Sequence, residues 1–280
     1  MFQILQKKFL KDTVVSLKIS APLIANKVKV GQFVMVRIDE KGERIPLTIS
    51  DFNKEEGSIT LVVQAVGKTT ILLSKMSEGD YIMNVTGPLG CPTEFGEPKK
   101  AIVIGGGVGC AIALPQAKAL KKMGASVDMI AGFRNKDLLI LEDEMRAAAD
   151  NLYIATDDGS YGEKGLVTDI LKRLASKESY DLVVAIGPIP MMKFVSLTTK
   201  ELGIKTIVSL NPIMIDGTGM CGGCRVHIGG NVKFACVDGP DFDGHLVDFD
   251  ELMRRNRAYA DIETQKKDHI CRLEGQANGK

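Results

Sequence analysis

The hydrophobic pattern changes near residue 100, and this change limits the folds that the chain can adopt. Residues 1–98 contain short, evenly spaced segments rich in β-branched residues: TVVSLKI, QFVMVRI, PLTIS, SITLVVQAV and YIMNVTG. From Lys100 onward, compact apolar segments alternate with predicted helices at 111–123, 139–149, 167–175 and 190–202. The sequence therefore predicts an antiparallel β-barrel over 1–98 and an α/β domain with a parallel sheet over 99–210.

Composition restricts the class of protein. Thirty-six basic and 35 acidic residues leave a formal net charge of +1, which gives no reason to expect nucleic acid or a membrane as partner. The first ten residues, MFQILQKKFL, carry charges inside their apolar stretch and do not resemble a signal peptide. We therefore expect a cytoplasmic protein, in which six cysteines act as metal ligands or buried thiols rather than as disulfides.

The strongest chemical signal follows the last predicted strand, in a glycine-rich module over 211–250. The segment Asp216-Gly-Thr-Gly-Met-Cys221-Gly-Gly-Cys224 is followed by Cys236. With a cysteine in place of Asp216, this spacing would match the plant-type [2Fe–2S] pattern. A carboxylate is also an anionic ligand, although a harder one than a thiolate. Asp216, Cys221, Cys224 and Cys236 are thus the predicted ligands of a [2Fe–2S] cluster.

Two other interpretations of this segment stay open. The three cysteines could bind zinc, with His227, His245 or Cys271 as the fourth ligand. Such a protein would be a zinc-stabilised binding module without redox activity. Asp216 could also be a plain turn residue, because Asp-Gly is a common turn pair.

Two glycine-bearing segments of the α/β half are candidate dinucleotide contacts. Gly106, Gly107, Val108 and Gly109 follow the segment AIVI, where free N–H groups at a helix start suit a pyrophosphate. Cys110 replaces the third glycine of the usual fingerprint, and tight strand–helix packing would explain the glycines equally well. Gly187, Pro188 and Met191 stand at a second strand end, where glycine and proline are also ordinary turn chemistry. Phe133 and Arg134 lie at the end of the segment SVDMIAGF, the next predicted strand after AIVI. They complete the predicted NAD(H) contacts.

In the barrel half, two short segments are candidate flavin contacts. The first is Pro46 to Ile49. The second is Val66 to Thr70, which leads into a predicted helix at 69–76, where N–H groups are available to a phosphate. Taken by itself, the second segment is explained better by a plain helix N-cap. The predicted flavin residues are Pro46, Leu47, Thr48, Ile49, Val63, Gln64, Val66, Gly67, Thr69 and Thr70.

Taken in order, these segments resemble the ferredoxin–NADP reductase superfamily. The family's Arg-x-Tyr-Ser flavin motif falls on Ile45–Thr48, without its arginine, and its Gly-x-x-Ser/Thr motif on Gly67–Thr70. The Gly-Gly-x-Gly nicotinamide loop falls on Gly106–Gly109. The family's Cys-Gly-Pro-x-x-Met motif falls on Ile186–Met191, with isoleucine in place of cysteine.

With its cysteine module, the chain is similar to the electron-transfer subunits of dihydroorotate dehydrogenase B, which carry four cysteine ligands. Three cysteines and one aspartate resemble instead the small subunits of NADH-dependent reduced ferredoxin:NADP oxidoreductases, also called sulfide dehydrogenases. The resemblance implies FAD, a [2Fe–2S] cluster and NAD(H) as cofactors, and electron bifurcation as the activity of the complex. It also implies a larger iron–sulfur flavoprotein as partner and ferredoxin as an indirect one. The charged tail, 251–280, is predicted to be helical and is a candidate for docking to that partner.

Overall fold

The computed structural model describes residues 1–262 and 264, and its first half is a seven-stranded antiparallel sheet. The strands are β1 (Phe2–Lys11), β2 (Val14–Ser20), β3 (Phe33–Arg37), β4 (Ile45–Asn53), β5 (Ser58–Gln64), β6 (Tyr81–Ile82) and β7 (Asn84–Leu89). Their order in the sheet is β6-β1-β2-β5-β4-β3-β7. Because the two outer strands follow each other in the chain, the sheet curls into a nearly closed barrel. Two helices accompany it, α1 (Pro22–Ala25) and α2 (Lys68–Lys75).

The barrel interior follows the two-residue period of the strands. Val15, Leu17 and Ile19 of β2 are fully buried, and Leu17 lies opposite the buried Leu61 of β5. Strand β1 was not predicted, because along it only Ile4 is fully buried and lysines interrupt the alternation. Its pairing with β2 across a tight turn, rather than a hydrophobic pattern, makes this segment a strand.

The second half is a mostly parallel sheet covered by helices, as predicted. Its strands are β8 (Lys100–Gly106), β9 (Ser126–Phe133), β10 (Asn151–Thr156), β11 (Glu163–Lys164), β12 (Leu182–Ile186) and β13 (Lys205–Ser209). The helices between them are α3 (Cys110–Lys122), α4 (Glu142–Ala148), α5 (Val167–Ala175) and α6 (Ile189–Leu202). The chain runs outward from β8 through β9 to β10 and then returns to β12 on the other side of β8. The carboxyl ends of β8 and β12 therefore form the topological switch point, where ligands of such sheets bind.

The cysteine module follows β13 and returns to the same sheet. It contains a hairpin of β14 (Arg225–Ile228) and β15 (Asn231–Phe234), a short helix α7 (Ala235–Asp238), and β16 (Asp241–Asp243). Strand β16 pairs antiparallel with β13, and α8 (Phe249–Asn256) follows it near the end of the described residues. The predicted fold class, a barrel and an α/β domain with a small C-terminal module, is confirmed. None of the helices within the described residues is long and apolar enough to cross a membrane.

A partly buried polar cluster joins the barrel, the α/β domain and the cysteine module. Asp241 of β16 accepts hydrogen bonds from Thr93, which follows the barrel, and from Gln116 of α3. Gln116 also donates to the Thr93 hydroxyl at 3.0 Å. Burial raises the pKa of the Asp241 carboxyl, although the hydrogen bonds from Ser209, Thr93 and Gln116 act in the opposite direction. One carboxyl oxygen of Asp241 has no hydrogen-bond partner.

This cluster predicts a pH-dependent contribution to stability. A carboxyl whose pKa is raised by folding contributes its full stability below the unfolded-state pKa, and that contribution is lost as pH rises through the folded-state value. Asp241→Asn cannot ionise, so its melting temperature relative to wild type should rise as the pH increases above the unfolded-state pKa of an aspartate, about 3.9. Asp12→Asn, at an exposed turn, is the control and should show a constant difference. A constant difference for Asp241→Asn would contradict this interpretation.

Candidate functional site

Two of the predicted metal ligands are in direct contact. The sulfur atoms of Cys224 and Cys236 lie 3.2 Å apart, and each residue is only 2% exposed. The β14–β15 hairpin brings them together. Arg225, which follows Cys224, is paired with Phe234, which lies two residues before Cys236. The Ala235 N–H closes the hairpin base by donating to the Cys224 carbonyl oxygen at 3.1 Å.

The surroundings of this thiol pair disfavour negative charge. Burial raises the pKa of Cys236 to about 12, with further contributions from the hydrogen bond with Cys224 and from the charge of Asp216. A metal ligand must be a thiolate, and a bound cation offsets the cost of burying that charge. Cys236 therefore favours the neutral thiol unless a cation is bound beside it.

The other two predicted ligands lie on the exposed loop that leads to Cys224. The Asp216 carboxylate accepts hydrogen bonds from the N–H groups of Thr218 at 2.7 Å and Cys221 at 2.8 Å. These bonds lower the pKa of Asp216, the one from Thr218 most strongly. The Cys221 sulfur accepts a hydrogen bond from the Gly223 N–H at 3.4 Å. Asp216 thus braces the loop that carries Cys221.

The four predicted ligands have the donor types and the sequence spacing of an iron–sulfur site. Their side chains do not all surround one common position. Across residues 1–262 and 264, no group of three or more His, Cys, Asp or Glu side chains is arranged to hold a metal ion. The structure therefore brings together Cys224 and Cys236, and keeps Asp216 and Cys221 nearby on one short loop.

The side chains considered for a zinc site have other partners. The His227 ring contacts the Glu251 carboxylate, and the His245 ring lies 3.0 Å from the Thr199 hydroxyl. Cys271, the third candidate, lies outside the described residues. The two histidines therefore give the zinc interpretation no support.

The cysteine module packs directly on the barrel. Phe33 and Met35 of β3 share one apolar cluster with Cys224 and Cys236. Gly217 has φ +78°, and a Cβ atom there would lie 2.5 Å from the Met35 side chain, so only glycine fits this contact. No pattern in the sequence indicates this contact, because β3 has the residue pattern of an ordinary barrel strand.

Strand β3 also pairs with the strand that carries the first flavin motif. Phe33 lies opposite Thr48, and Met35 lies opposite Pro46. The apolar cluster that contains the thiol pair therefore includes side chains of the strand that is paired with the predicted flavin segment Pro46–Ile49 of β4.

The second flavin segment forms the start of α2. The Thr70 hydroxyl accepts hydrogen bonds from the N–H groups of Gly67 at 2.9 Å and Val66 at 3.1 Å, so it acts as a helix cap. Thr69 donates to the Glu43 carboxylate. The first-turn N–H groups of α2 have no partners within the helix itself, which leaves them suited to a phosphate. Val63 is fully buried inside the barrel, whereas Gln64 is exposed at the end of β5.

The predicted nicotinamide residues converge at the switch point. A Cβ atom at Gly106 would lie 2.5 Å from the Met191 sulfur and 2.9 Å from Pro188. A Cβ atom at Gly109 would lie 2.4 Å from the Ile186 carbonyl oxygen and 2.9 Å from Gly187. Tight packing of the two strand ends therefore explains these glycines. Cys110, in place of the third glycine, is fully buried, and burial raises its pKa to about 12.

The remaining two nicotinamide candidates lie at the end of β9. Phe133 is buried and pairs with Thr156, whereas Arg134 is exposed. Two acidic residues of this domain, Glu142 and Asp158, have partners other than Arg134. Glu142 forms an ion pair with Arg146, and Asp158 accepts hydrogen bonds from Ser160.

The barrel and the α/β domain meet at the glycine turn between β8 and α3 and along α3. Val108, in the glycine turn, packs in the same apolar cluster as Val62 of β5 and Val14 of β2. Lys118 of α3 bonds to the Asp51 carboxylate of β4 at 3.3 Å. The predicted nicotinamide turn thus lies against the barrel strands that carry the predicted flavin residues.

Comparisons with known proteins agree with this geometry. Residues 211–248 match the model of the iron–sulfur cluster binding domain of dihydroorotate dehydrogenase B. The chain is 46% identical to a Thermotoga maritima homologue of the dihydroorotate dehydrogenase B (NAD(+)) electron transfer subunit, over 98% of this chain and 97% of that protein. An uncharacterised Clostridium beijerinckii protein is 53% identical over 92% of this chain and 90% of its own.

A solved structure supports the same family assignment. A chain from an NADH-dependent reduced ferredoxin–NADP oxidoreductase, a structure described for flavin-based electron bifurcation, superposes with a TM-score of 0.92. It is 45% identical and covers 97% of this chain and 98% of its own. These matches confirm the predicted class of oxidoreductase and support FAD, a [2Fe–2S] cluster and NAD(H) as its cofactors. The chain belongs to the family of dihydroorotate dehydrogenase B electron-transfer subunits and their homologues.

Proposed function

We propose that this chain is the NAD(H)-side subunit of an electron-bifurcating NADH-dependent reduced ferredoxin:NADP oxidoreductase. Asp216, Cys221, Cys224 and Cys236 hold its [2Fe–2S] cluster. The observation that supports this proposal most directly is that the thiol pair shares an apolar cluster with Phe33 and Met35 of β3, the strand paired with the flavin segment of β4. Electron transfer between two carriers requires a short separation, and this arrangement is consistent with that requirement.

The barrel residues bind and orient the flavin in this proposal. The backbone of Pro46–Ile49 and of Val63–Gln64 lines the ring, and the α2 start at Gly67–Thr70 holds phosphate through N–H groups. When bound, a flavin accepts two electrons from a nicotinamide and passes them on singly, which links the two kinds of carrier. The protein supplies position and electrostatics, and no side chain acts as an acid or a base.

The switch-point residues bind the nicotinamide. Gly106–Gly109 contacts the pyrophosphate, while Gly187, Pro188 and Met191 border the same crevice at the end of β12. Phe133 and Arg134 bind from the end of β9. Val108 of this turn packs against the same apolar cluster as Val62 of the barrel strand β5, which places the turn beside the barrel.

A larger iron–sulfur flavoprotein covers the cluster loop. Apolar side chains around this loop are exposed, Met220 by 88%, Ile215 by 56% and Val237 by 43%. Apolar exposure of this kind marks interaction surfaces. Electrons then reach ferredoxin and NADP through that partner, in the cytoplasm. The division into 1–98, 99–210, 211–250 and the tail 251–280 belongs to the same proposal.

One residue favours this complex over a dihydroorotate dehydrogenase. Asp216 stands where the dihydroorotate dehydrogenase subunits are expected to carry their first cysteine. Anaerobic purification of the tagged full chain from its native cells, with flavin, iron, sulfide and partner identification, tests the choice. A brown complex with a larger flavoprotein that reduces NADP supports the proposal, whereas a partner that oxidises dihydroorotate overturns it.

The ligand set predicts how substitutions change iron and sulfide content. Cys224→Ser and Cys236→Ser should abolish acid-labile sulfide, because each removes a thiolate from the buried pair. Cys91→Ser is the matched control, since Cys91 is exposed and its thiol donates to the Val237 carbonyl oxygen at 3.1 Å. Sulfide assays and visible spectra of anaerobically prepared protein give the readout.

The same preparations separate the two roles of Asp216. If Asp216 is a ligand, Asp216→Cys should keep the cluster but change its visible and paramagnetic spectra, because sulfur replaces oxygen on iron. An unchanged spectrum in Asp216→Cys, together with a retained cluster in Asp216→Ala, would show that Asp216 is only a brace. Loss of sulfide from Cys91→Ser would contradict the ligand assignment.

The switch-point packing predicts a loss of NADH affinity in Gly109→Ala. The added methyl group would meet the Ile186 carbonyl oxygen and force the β8–α3 turn away from β12. We expect Kd for NADH to rise at least about tenfold, equivalent to about 1.4 kcal/mol, in fluorescence titrations. Lys122→Ala, at an exposed position of the last turn of α3, should leave Kd unchanged. Unchanged affinity in Gly109→Ala, with flavin content intact, would contradict the assignment.

A further inference from the structure

Helix α8 is fixed on the cysteine module independently of any partner. Its buried residues Phe249 and Leu252 share one apolar cluster with Val226 of β14. Asp248 caps its N-terminus by accepting a hydrogen bond from the Glu251 N–H at 2.9 Å. An ion pair between Asp250 and Lys193 joins it to α6. The helix is therefore a rigid support rather than a loose tail.

The last turn of this helix contacts both ends of the cluster loop. Arg255 donates from its guanidinium to the Gly223 carbonyl oxygen at 3.2 Å, immediately before Cys224. Asn256 donates to the Asn211 carbonyl oxygen at 3.1 Å, where the loop leaves the sheet. The segment that carries Asp216 and Cys221 is thus held at its start and at its end by adjacent residues of one helix.

The Arg255 contact also brings a positive charge to the loop. Arg255 is only partly exposed, so solvent screens its charge less than that of a surface side chain. Its hydrogen bond polarises the Gly223–Cys224 peptide, which makes the Cys224 N–H a stronger donor. Reduction adds negative charge to an iron–sulfur cluster, and both effects stabilise that charge.

We propose that Arg255 is a positioning residue that holds the cluster loop and raises the reduction potential of the [2Fe–2S] cluster. This inference rests on the proposed function, because it requires a cluster at the thiol pair. It assigns to α8 a role in setting electron flow that is separate from partner docking.

The test compares full-length wild type with Arg255→Gln, Arg255→Lys and Arg254→Gln. Arg254 is the matched control, because it is an exposed arginine on the same helix turn and its replacement changes the net charge equally. Iron and sulfide are assayed first, and the midpoint potential is then measured by redox titration followed by electron paramagnetic resonance.

We expect Arg255→Gln to favour the oxidised cluster about threefold more than wild type at a fixed potential, a midpoint shift of about −28 mV for one electron. Arg255→Lys should shift less, because it keeps the charge, and Arg254→Gln should not shift. If Arg255→Gln loses its cluster while Arg255→Lys and Arg254→Gln retain theirs, the positioning role is supported.

Two results would overturn the inference. One is an unshifted midpoint in Arg255→Gln with full iron and sulfide content. The other is an equal shift, or an equal loss of cluster, in Arg254→Gln. Wild type without iron and sulfide would instead refute the proposed function, so the two failures are distinguishable.

Discussion

The contact between two buried sulfur atoms, those of Cys224 and Cys236, determines how the rest of the structure can function. Buried side by side, they cannot both be thiolates without a cation between or beside them. The same atoms pack on Phe33 and Met35 of the barrel, so whatever the thiols bind lies against β3. The position of the cysteine module is therefore inseparable from the position of the barrel strand that neighbours the flavin segment.

A second constraint acts at the carboxyl ends of β8 and β12. Gly106 and Gly109 permit the strand ends and α6 to approach so closely that no side chain fits between them. The partly buried cluster of Asp241, Thr93 and Gln116 fixes the module relative to both domains. Two candidate cofactor sites and the thiol pair thus occupy one connected region of the molecule.

Local patterns were sufficient to predict the fold class, and one helix, Val167–Ala175, was predicted with its observed boundaries. The glycine and cysteine spacings also located the segments that the structure brings together. Strand β1 was missed because its pairing with β2, not its alternation, decides its structure. The contact of Met35 with Gly217 and the hydrogen bond from Arg255 to the loop were missed because they join segments distant in sequence. Tertiary contacts of this kind leave no periodic signal in a single sequence.

Electron flow from NADH to the diiron centre within this one chain is the central claim of the account. Its most direct measurement is the electron paramagnetic resonance spectrum of the anaerobic, iron- and sulfide-replete chain after addition of NADH alone. The account predicts bleaching of the flavin absorbance and the paramagnetic signal of one reduced diiron centre per chain. A bleached flavin without that signal, in protein whose cluster dithionite does reduce, would contradict it.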